Sequence, residues 1–243
     1  MRLLIDAGNT RLKWQLYQPG GIEQQGACLF DSHEWLDELA CYSPHIEHIA
    51  VSTVVSEAKR DLLVERLGSI SAVDVTFYWS EAQRGGLVNS YSDFHRMGAD
   101  RWHAMYAAWC QNQAGFAVID AGSAITIDFV TDSGLHLGGY ILPGKQMMLR
   151  SLRQDAARIG FEASDALSAE PGRSTSECVH HGVVWLWEGL VSRLMADCRR
   201  YSLGRIVCTG GDAHGLLEAG LPGECHRDLV LAGLNAIDSE SAG

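Results

Sequence analysis

Apolar and polar residues alternate on both sides of a short turn near the start of the chain. The alternation predicts two strands, at residues 3–6 and 12–17, joined by a turn that contains Gly8. The same pattern returns around Gly122, at an offset close to half of the 243-residue chain. The strands of this second copy are residues 117–120 and 125–130. The simplest interpretation is an internally duplicated molecule with two similar halves.

The remaining periodicity predicts an α/β chain in which helices cover a sheet in each half. The two halves are residues 1–113 and 114–243, and the first has the element order βββαβαβ. The other predicted strands are residues 24–30, 46–51, 73–79, 135–141 and 205–208. Six helices are predicted. One begins after an Asp31-Ser32 cap, one begins at residue 99, and the other four cover residues 56–67, 145–157, 176–200 and 227–237. Residues 80–98 show neither period and are predicted to be a long loop.

The two glycine turns have a chemical use as well as a structural one. Glycine lets a ligand approach the main chain, and successive N–H groups of such a turn can donate to phosphate oxygens. An aspartate at the strand end, such as Asp6, can hold a hydrated Mg²⁺ beside that phosphate. The alternative is a plain β-hairpin whose Asp and Asn only form the turn. Matching positions in two copies, Asp6 with Asp120 and Gly8 with Gly122, favour phosphate binding.

The charge balance argues against nucleic acid as a partner. The formal net charge is −11, and Lys and Arg form no basic tract, whereas duplex nucleic acid needs several cations on one face. A small anionic substrate is still compatible, because only the charges that line its pocket matter. Lys13 and Arg101 are the candidates for that contact.

The seven cysteines favour reduced thiols over a zinc site or a disulfide framework. Their number is odd and no two have the C-x-x-C spacing. We therefore expect buried free thiols in a reducing cytoplasm. Met1-Arg2 leads directly into the first strand, which leaves no room for a signal peptide, and no apolar run has the length of a membrane span. The sequence predicts a cytoplasmic protein without a membrane partner.

Asp100 and Arg101 lie at the start of the helix that follows the long loop. In the first turn of a helix the dipole favours the anionic form of Asp100. The plainest interpretation makes Asp100 an ordinary first-turn residue and Arg101 its exposed neighbour. The alternative is acid–base chemistry on a substrate with a hydroxyl and a carboxylate, in which the Arg clamps the carboxylate and the Asp meets the hydroxyl.

Four motifs occur in a specific order: Asp-x-Gly-Asn-Thr at residues 6–10, Gly-x-Asp-Arg-Trp at 98–102, Asp-x-Gly-Ser-Ala at 120–124 and Thr-Gly-Gly-Asp at 209–212. Together they resemble the type III pantothenate kinases, and the resemblance runs from residue 1 to residue 238. It implies a duplicated ribonuclease-H-like (actin-like ATPase) fold, with two βββαβα-type domains and ATP in the cleft between them. The implied activity is phosphorylation of pantothenate to 4′-phosphopantothenate, the first step of coenzyme A biosynthesis.

The resemblance also implies roles for individual residues. Asp100 matches the general base, Asp120 matches the ligand of a K⁺ or NH₄⁺ ion, and Asp6 is the candidate Mg²⁺ ligand, directly or through water. The residues that match the ATP-binding motifs are Asp6, Ala7, Gly8, Asn9, Thr10, Arg11, Leu12, Lys13, Ser123, Gly210 and Gly211. The residues that match the pantothenate pocket are Tyr91, Gly98, Ala99, Asp100, Arg101 and Thr175.

Pantothenate has both the hydroxyl and the carboxylate that the Asp-Arg pair requires. The implied partners are pantothenate and ATP, with Mg²⁺ and a monovalent cation, and the family is dimeric. Two alternatives stay open. One is another small-molecule kinase or an ATPase of the same superfamily, and the other is a non-catalytic nucleotide-binding regulatory protein.

Overall fold

The computed structural model describes residues 1–156, 159–163 and 168–241. The chain forms two compact units. Unit 1 comprises Met1–Asn112 with Asp228–Gly243, and unit 2 comprises Gln113–Arg227. The division expected from the duplication placed residues 114–243 together. The closing segment instead groups with unit 1, because its helix packs against the first sheet.

The first 112 residues contain a sheet, its covering helices and a small hairpin. The strands are β1 (Arg2–Ala7), β2 (Arg11–Gln18), β3 (Gly21–Leu29), β4 (His48–Thr53), β5 (Val75–Tyr78), β6 (Gln83–Arg84) and β7 (Leu87–Val88). The helices are α1 (Glu34–Ala40), α2 (Glu57–Gly68) and α3 (Ala99–Gln111), with 3₁₀ turns at Ser43–His45 and Phe94–Arg96. The five-stranded sheet has the order β3-β2-β1-β4-β5.

The rest of the chain builds a second sheet of the same design. Its strands are β8 (Phe116–Ala121), β9 (Ala124–Val130), β10 (His136–Pro143), β11 (Arg205–Thr209) and β12 (Glu224–Cys225). The helices of this part are α4 (Lys145–Asp155), α5 (Thr175–Arg200) and α6 (Ala213–Glu218), and the closing helix α7 (Leu229–Ser241) belongs to unit 1. The sheet order is β10-β9-β8-β11-β12. In both sheets the first three strands pair antiparallel and the last two join in parallel, which confirms the predicted duplicated ribonuclease-H-like fold.

Strand β1 is buried on both faces. Leu3 and Ile5 lie in a core with Trp35 of α1, whereas Leu4 packs with Leu231 and Leu234 of α7. Successive side chains of a strand point to opposite faces, so helices on both sides of the sheet require an uninterrupted apolar run. Burying each such aliphatic side chain contributes about 1.5–3 kcal/mol.

A buried carboxylate joins α7 to three strands of unit 1. Asp238 is 1% exposed and lies 2.6 Å from Nη1 of Arg2, 2.6 Å from Nε2 of His48 and 2.8 Å from the hydroxyl of Tyr78. Burial and the hydrogen bond to Asp238 raise the pKa of Tyr78 to about 12. A buried carboxylate is tolerated only when it is paired, so these contacts specify where α7 docks.

Several expectations need correction. The stretch at residues 80–98 is not structureless, because it contains the β6–β7 hairpin and a 3₁₀ turn. Helix α1 begins at Glu34, and His33 before it makes no side-chain capping bond, whereas the predicted cap residue Ser32 accepts from the N–H of Glu34 at 3.4 Å. Helix α6 and strand β12 were not predicted. The predicted end of the helix at Ala157 lies outside the described residues.

The cysteines are free, as expected, but mostly not buried. Only Cys198 and Cys208 are buried, Cys28 is half-buried, and the other four are exposed. Among the described residues, no helix combines the length and apolarity that a bilayer crossing requires.

Candidate active site

The β1–β2 turn is held by main-chain and lysine contacts. The N–H of Gly8 donates to the carbonyl of Arg11 at 2.9 Å, and the carbonyl of Asn9 accepts from the Lys59 ammonium at 2.7 Å. The side chains of Asn9 and Thr10 are exposed. The turn is therefore fixed by bonds to its carbonyls, while its polar side chains face solvent.

Two of the predicted phosphate-binding residues contribute to the core instead. The side chains of Ala7 and Leu12 are buried at 0% and 1% exposure. The carbonyl of Ala7 accepts from the hydroxyl of Thr53 at 3.0 Å. Only the main chain of these two positions can contact a ligand.

Asp6 and Lys13 are opposite each other at the end of this hairpin. They are register partners in the antiparallel β1–β2 pair, so their side chains lie on the same face of the sheet. Nζ of Lys13 also lies 3.4 Å from a carboxylate oxygen of Asp228, and the Nε2 of Gln15 lies 3.4 Å from the other oxygen. Sequence reasoning missed Asp228, because only the docking of α7 brings it to this strand.

Arg101 is buried beside Tyr91 rather than exposed. Its side chain is 5% exposed, and Nη1 donates to the Tyr91 hydroxyl at 2.8 Å. The guanidinium also lies 5.6 Å from the Tyr91 ring centroid. The interpretation of Arg101 as an exposed neighbour of Asp100 is wrong. A guanidinium in this position is desolvated, so it is suited to binding a small carboxylate.

The Asp100 carboxylate folds back over Gly98 at the start of α3. Oδ1 accepts from the N–H of Arg101 at 2.7 Å, and a Cβ at Gly98 would lie 2.5 Å from the same oxygen. Val54 closes the other side of Gly98, at 3.3 Å from that Cβ. A side chain at residue 98 would therefore displace the carboxylate, and this explains the glycine of the Gly-x-Asp-Arg-Trp motif. Ala99 is buried and has no polar side chain to offer.

Helix α3 gives Asp100 and Arg101 a rigid base. Gly233 of α7 packs so closely on it that a Cβ would meet the carbonyl of His103 at 1.9 Å. His103 is fully buried, with Nδ1 2.7 Å from the Ser52 hydroxyl, and burial lowers its pKa to about 3. The imidazole is thus neutral and ties α3 to β4. The loop before α3 is braced by the Ser80 hydroxyl, which donates to the carbonyls of Phe94 and Met97.

In unit 2, Asp120 lies between two glycine turns. A Cβ at Gly210 would be 2.5 Å from Oδ1 of Asp120 and 2.4 Å from the carbonyl oxygen of Ala121, and a Cβ at Gly122 would be 3.4 Å from Oδ1. Strand register explains this arrangement, because Asp120 of β8 pairs with Thr209 of β11. The two motifs that the sequence placed far apart are therefore adjacent.

The start of helix α4 is hydrogen-bonded to the Ser123 turn. The N–H of Gly144, the N-cap of α4, donates to the carbonyl of Ser123 at 3.1 Å. Asp212 follows the other glycine turn, and its N–H donates to the carbonyl of Ala121 at 2.8 Å. Burial raises the pKa of Asp212, and the Lys145 ammonium partly offsets that effect. Ser123 and Gly211 are exposed, so this surface is accessible to a ligand.

Thr175 is the first residue of α5 and is exposed. The Ser174 side chain caps the helix by accepting from the N–H of Glu177 at 3.2 Å. Within unit 1 the structure gathers Tyr91, Gly98 and Asp100 with Arg101, and it pairs Asp6 with Lys13. Within unit 2 it gathers Asp120 with the two glycine turns.

Solved structures define the class of protein. A protein described as a 2-dehydro-3-deoxygalactonokinase from Sinorhizobium meliloti has a TM-score of 0.59 at 12% identity, with 99% of each chain covered. One described as a Baf family transcriptional activator from Campylobacter jejuni has a TM-score of 0.59 at 23% identity, covering 99% of this chain and 98% of that one. These likenesses show the fold alone, and that fold is the duplicated ribonuclease-H-like fold.

Sequence comparison identifies the family. The type III pantothenate kinase family model matches residues 2–197. A type III pantothenate kinase of Marinobacter nauticus is 53% identical over 239 residues, covering 98% of each chain. The chain belongs to the type III pantothenate kinase family, as its motifs predicted.

Proposed function

We propose that this protein transfers a phosphoryl group from ATP to pantothenate, with Asp100 as general base, in the first step of coenzyme A biosynthesis. The observation that carries the proposal is the buried Arg101, hydrogen-bonded to Tyr91 and next in sequence to the Asp100 carboxylate. Arg101 binds the pantothenate carboxylate, and Asp100 accepts the proton of the attacking hydroxyl. Tyr91 orients the guanidinium, and Gly98 leaves space for the carboxylate of Asp100.

The glycine turns are the proposed phosphate contacts. In unit 1 the turn at residues 8–13 is the proposed phosphate contact, through groups other than the N–H of Gly8, which already donates to the carbonyl of Arg11. In unit 2 the Ser123 hydroxyl is the proposed phosphate contact, and Gly210-Gly211 is the proposed adenosine contact. Asp6 fits a Mg²⁺ ligand, because its carboxylate stands at the strand end beside the Gly8 turn and shares a face with Lys13. When bound, Mg²⁺ would neutralise charge on the transferring phosphoryl group. Lys13, which Asp228 holds in place, adds a positive charge at the same strand end.

The oxygens around Gly210 fit a monovalent cation. The Asp120 carboxylate and the Ala121 carbonyl both lie against Gly210, where a Cβ would be 2.5 Å and 2.4 Å from them, so the two oxygens lie near each other. Hard oxygen donors suit a cation of this kind. Asp120 would hold K⁺ or NH₄⁺ there, and the ion would supply positive charge beside the Ser123 turn.

Replacing K⁺ by Na⁺ is expected to lower the rate several-fold, because the smaller ion fits the same oxygens less well. Initial rates in KCl, NH₄Cl, NaCl and choline chloride at one ionic strength would measure this. Asp120→Asn should remove most of the difference among the salts. Equal rates in all four salts would contradict a cation role for Asp120.

We further propose that the protein is a homodimer and acts in the cytoplasm, where ATP is available. Support for the dimer comes from apolar side chains exposed on unit 2, Tyr140, Ile141 and Leu142 of β10 with Trp185 and Leu186 of α5. Sedimentation equilibrium would distinguish a dimer from a monomer. Thr175 at the exposed start of α5 is proposed as a further pantothenate contact.

The test of the function is phosphorylation of pantothenate by the purified protein with ATP, Mg²⁺ and K⁺. We expect stoichiometric 4′-phosphopantothenate and ADP, identified by mass spectrometry. A protein that binds ATP but leaves pantothenate unchanged would overturn the proposal and favour another acceptor or a regulatory role. Competing acceptors that lack the carboxylate or the hydroxyl, assayed beside pantothenate, would report which group is recognised.

A further inference from the structure

Two cysteines face each other across the last parallel strand pair of unit 2. Cys208 of β11 and Cys225 of β12 are direct register partners. The N–H of His226 donates to the carbonyl of Cys208 at 2.8 Å, which holds the two strands together at this point. Neighbouring strands lie about 4.8 Å apart, and register partners project to the same face of a sheet. That spacing falls within the Cα separation of about 4.4–6.8 Å that a disulfide requires.

The two thiols differ in access to solvent, and the pKa of the buried one is raised. Cys225 is exposed, whereas Cys208 is 0% exposed within the core beneath it. Burial, the negative charge that Cys225 can carry and a hydrogen bond between the two side chains raise the pKa of Cys208 to about 12. An oxidant from solvent therefore meets Cys225 first, and Cys208 is its register partner on the next strand.

We propose that Cys208 and Cys225 form a peroxide-sensitive dithiol that closes to an intramolecular disulfide. The Cys225 sulfur attacks hydrogen peroxide, whose O–O bond breaks, and yields a sulfenic acid and one water. The Cys208 sulfur then attacks the sulfenic sulfur. The S–S bond forms, the S–O bond breaks, and the departing hydroxide takes the thiol proton as a second water. Two thiols lose two electrons in total, and one peroxide is reduced.

The disulfide would act on the turn that follows Cys208. An S–S bond of about 2.05 Å fixes the end of β11 to β12 and restricts the side chains of both residues to disulfide geometry. Thr209 and Gly210 come next in the chain. The main chain of Gly210 packs tightly against Ala121, because a Cβ there would lie 2.4 Å from the carbonyl oxygen of Ala121. On the proposed nucleotide role of Gly210-Gly211, oxidation weakens ATP binding, and reduction restores it.

The sequence around the pair allows a direct chemical readout. Trypsin cleaves after Arg205 and Arg227 and releases residues 206–227, which contain both thiols and no other cysteine. After peroxide treatment, denaturation in guanidinium chloride and alkylation with iodoacetamide, we expect this peptide to carry no alkyl group and to be two hydrogens lighter than its reduced form. A further cut after Glu218 should give two chains joined by the disulfide. This readout requires no kinase activity, so it is independent of the proposed function.

Matched variants separate the pair from general thiol oxidation. Cys225→Ser should leave Cys208 fully alkylated, whereas Cys41→Ser, which removes an exposed thiol of unit 1, should behave as the unmodified chain. In the oxidised chain the KM for ATP should rise at least threefold and return with dithiothreitol, while Cys225→Ser should show no such rise. Alkylation of both thiols after peroxide, or oxidation of Cys225 to the sulfinic acid only, would overturn the disulfide. A closed disulfide with an unchanged KM for ATP would overturn its effect on the turn.

Discussion

Asp100→Asn is expected to lower kcat by about 10²–10⁴-fold, the range typical of a lost general base, with little change in pantothenate binding. The amide keeps the shape of the carboxylate, including an oxygen that can accept from the N–H of Arg101, as Oδ1 does at 2.7 Å. It cannot accept the hydroxyl proton. Steady-state kinetics together with calorimetric titration of pantothenate would separate the two effects.

A matched control is Asp74→Asn, because Asp74 is exposed beside β5 in the same unit. This variant should keep the unmodified kcat. Normal turnover by Asp100→Asn would remove the assignment of the base. Loss of pantothenate binding in the same variant would show that Asp100 maintains the structure of the pocket.

Arg101→Ala is expected to raise the KM for pantothenate by roughly 10–100-fold with a smaller effect on kcat. The estimate follows from about 1.5–3 kcal/mol for hydrogen bonds to a charged group, with about 1.4 kcal/mol per factor of ten. Arg101 is buried, so the loss of its side chain also costs packing. Thermal unfolding of the variant would show whether the fold survives.

Two milder variants keep this prediction testable if the alanine variant unfolds. Arg101→Lys retains the charge and loses the planar fork, so it should recover only part of the affinity. Tyr91→Phe keeps the ring and removes the hydroxyl that accepts from Arg101 at 2.8 Å, so its effect on KM should be several-fold smaller. An unchanged KM in both Arg101 variants would show that this guanidinium does not hold the carboxylate.

Most of the fold follows from local pattern. The alternation around Gly8 and Gly122 predicted the two hairpins and the duplication, and β1, β2, β8 and β9 confirm them within one or two residues. Elements of two residues, such as β6 and β12, have no period to detect, so they were missed. The position of α7 could not be predicted either. Its apolar residues predict a helix, but which sheet they cover depends on contacts made by Leu4 and Asp238.

The candidate site was likewise predictable from the sequence only in part. Residue types and order alone determined the family and the motifs, because phosphate-binding turns and the Gly-x-Asp-Arg-Trp element are short and contiguous. Only the tertiary structure decided that Arg101 is buried against Tyr91, that Asp228 reaches Lys13, and that Gly210 packs against Asp120. The physical reason is that burial and pairing between distant segments depend on how strands and helices pack, and a local pattern of residues carries no such information.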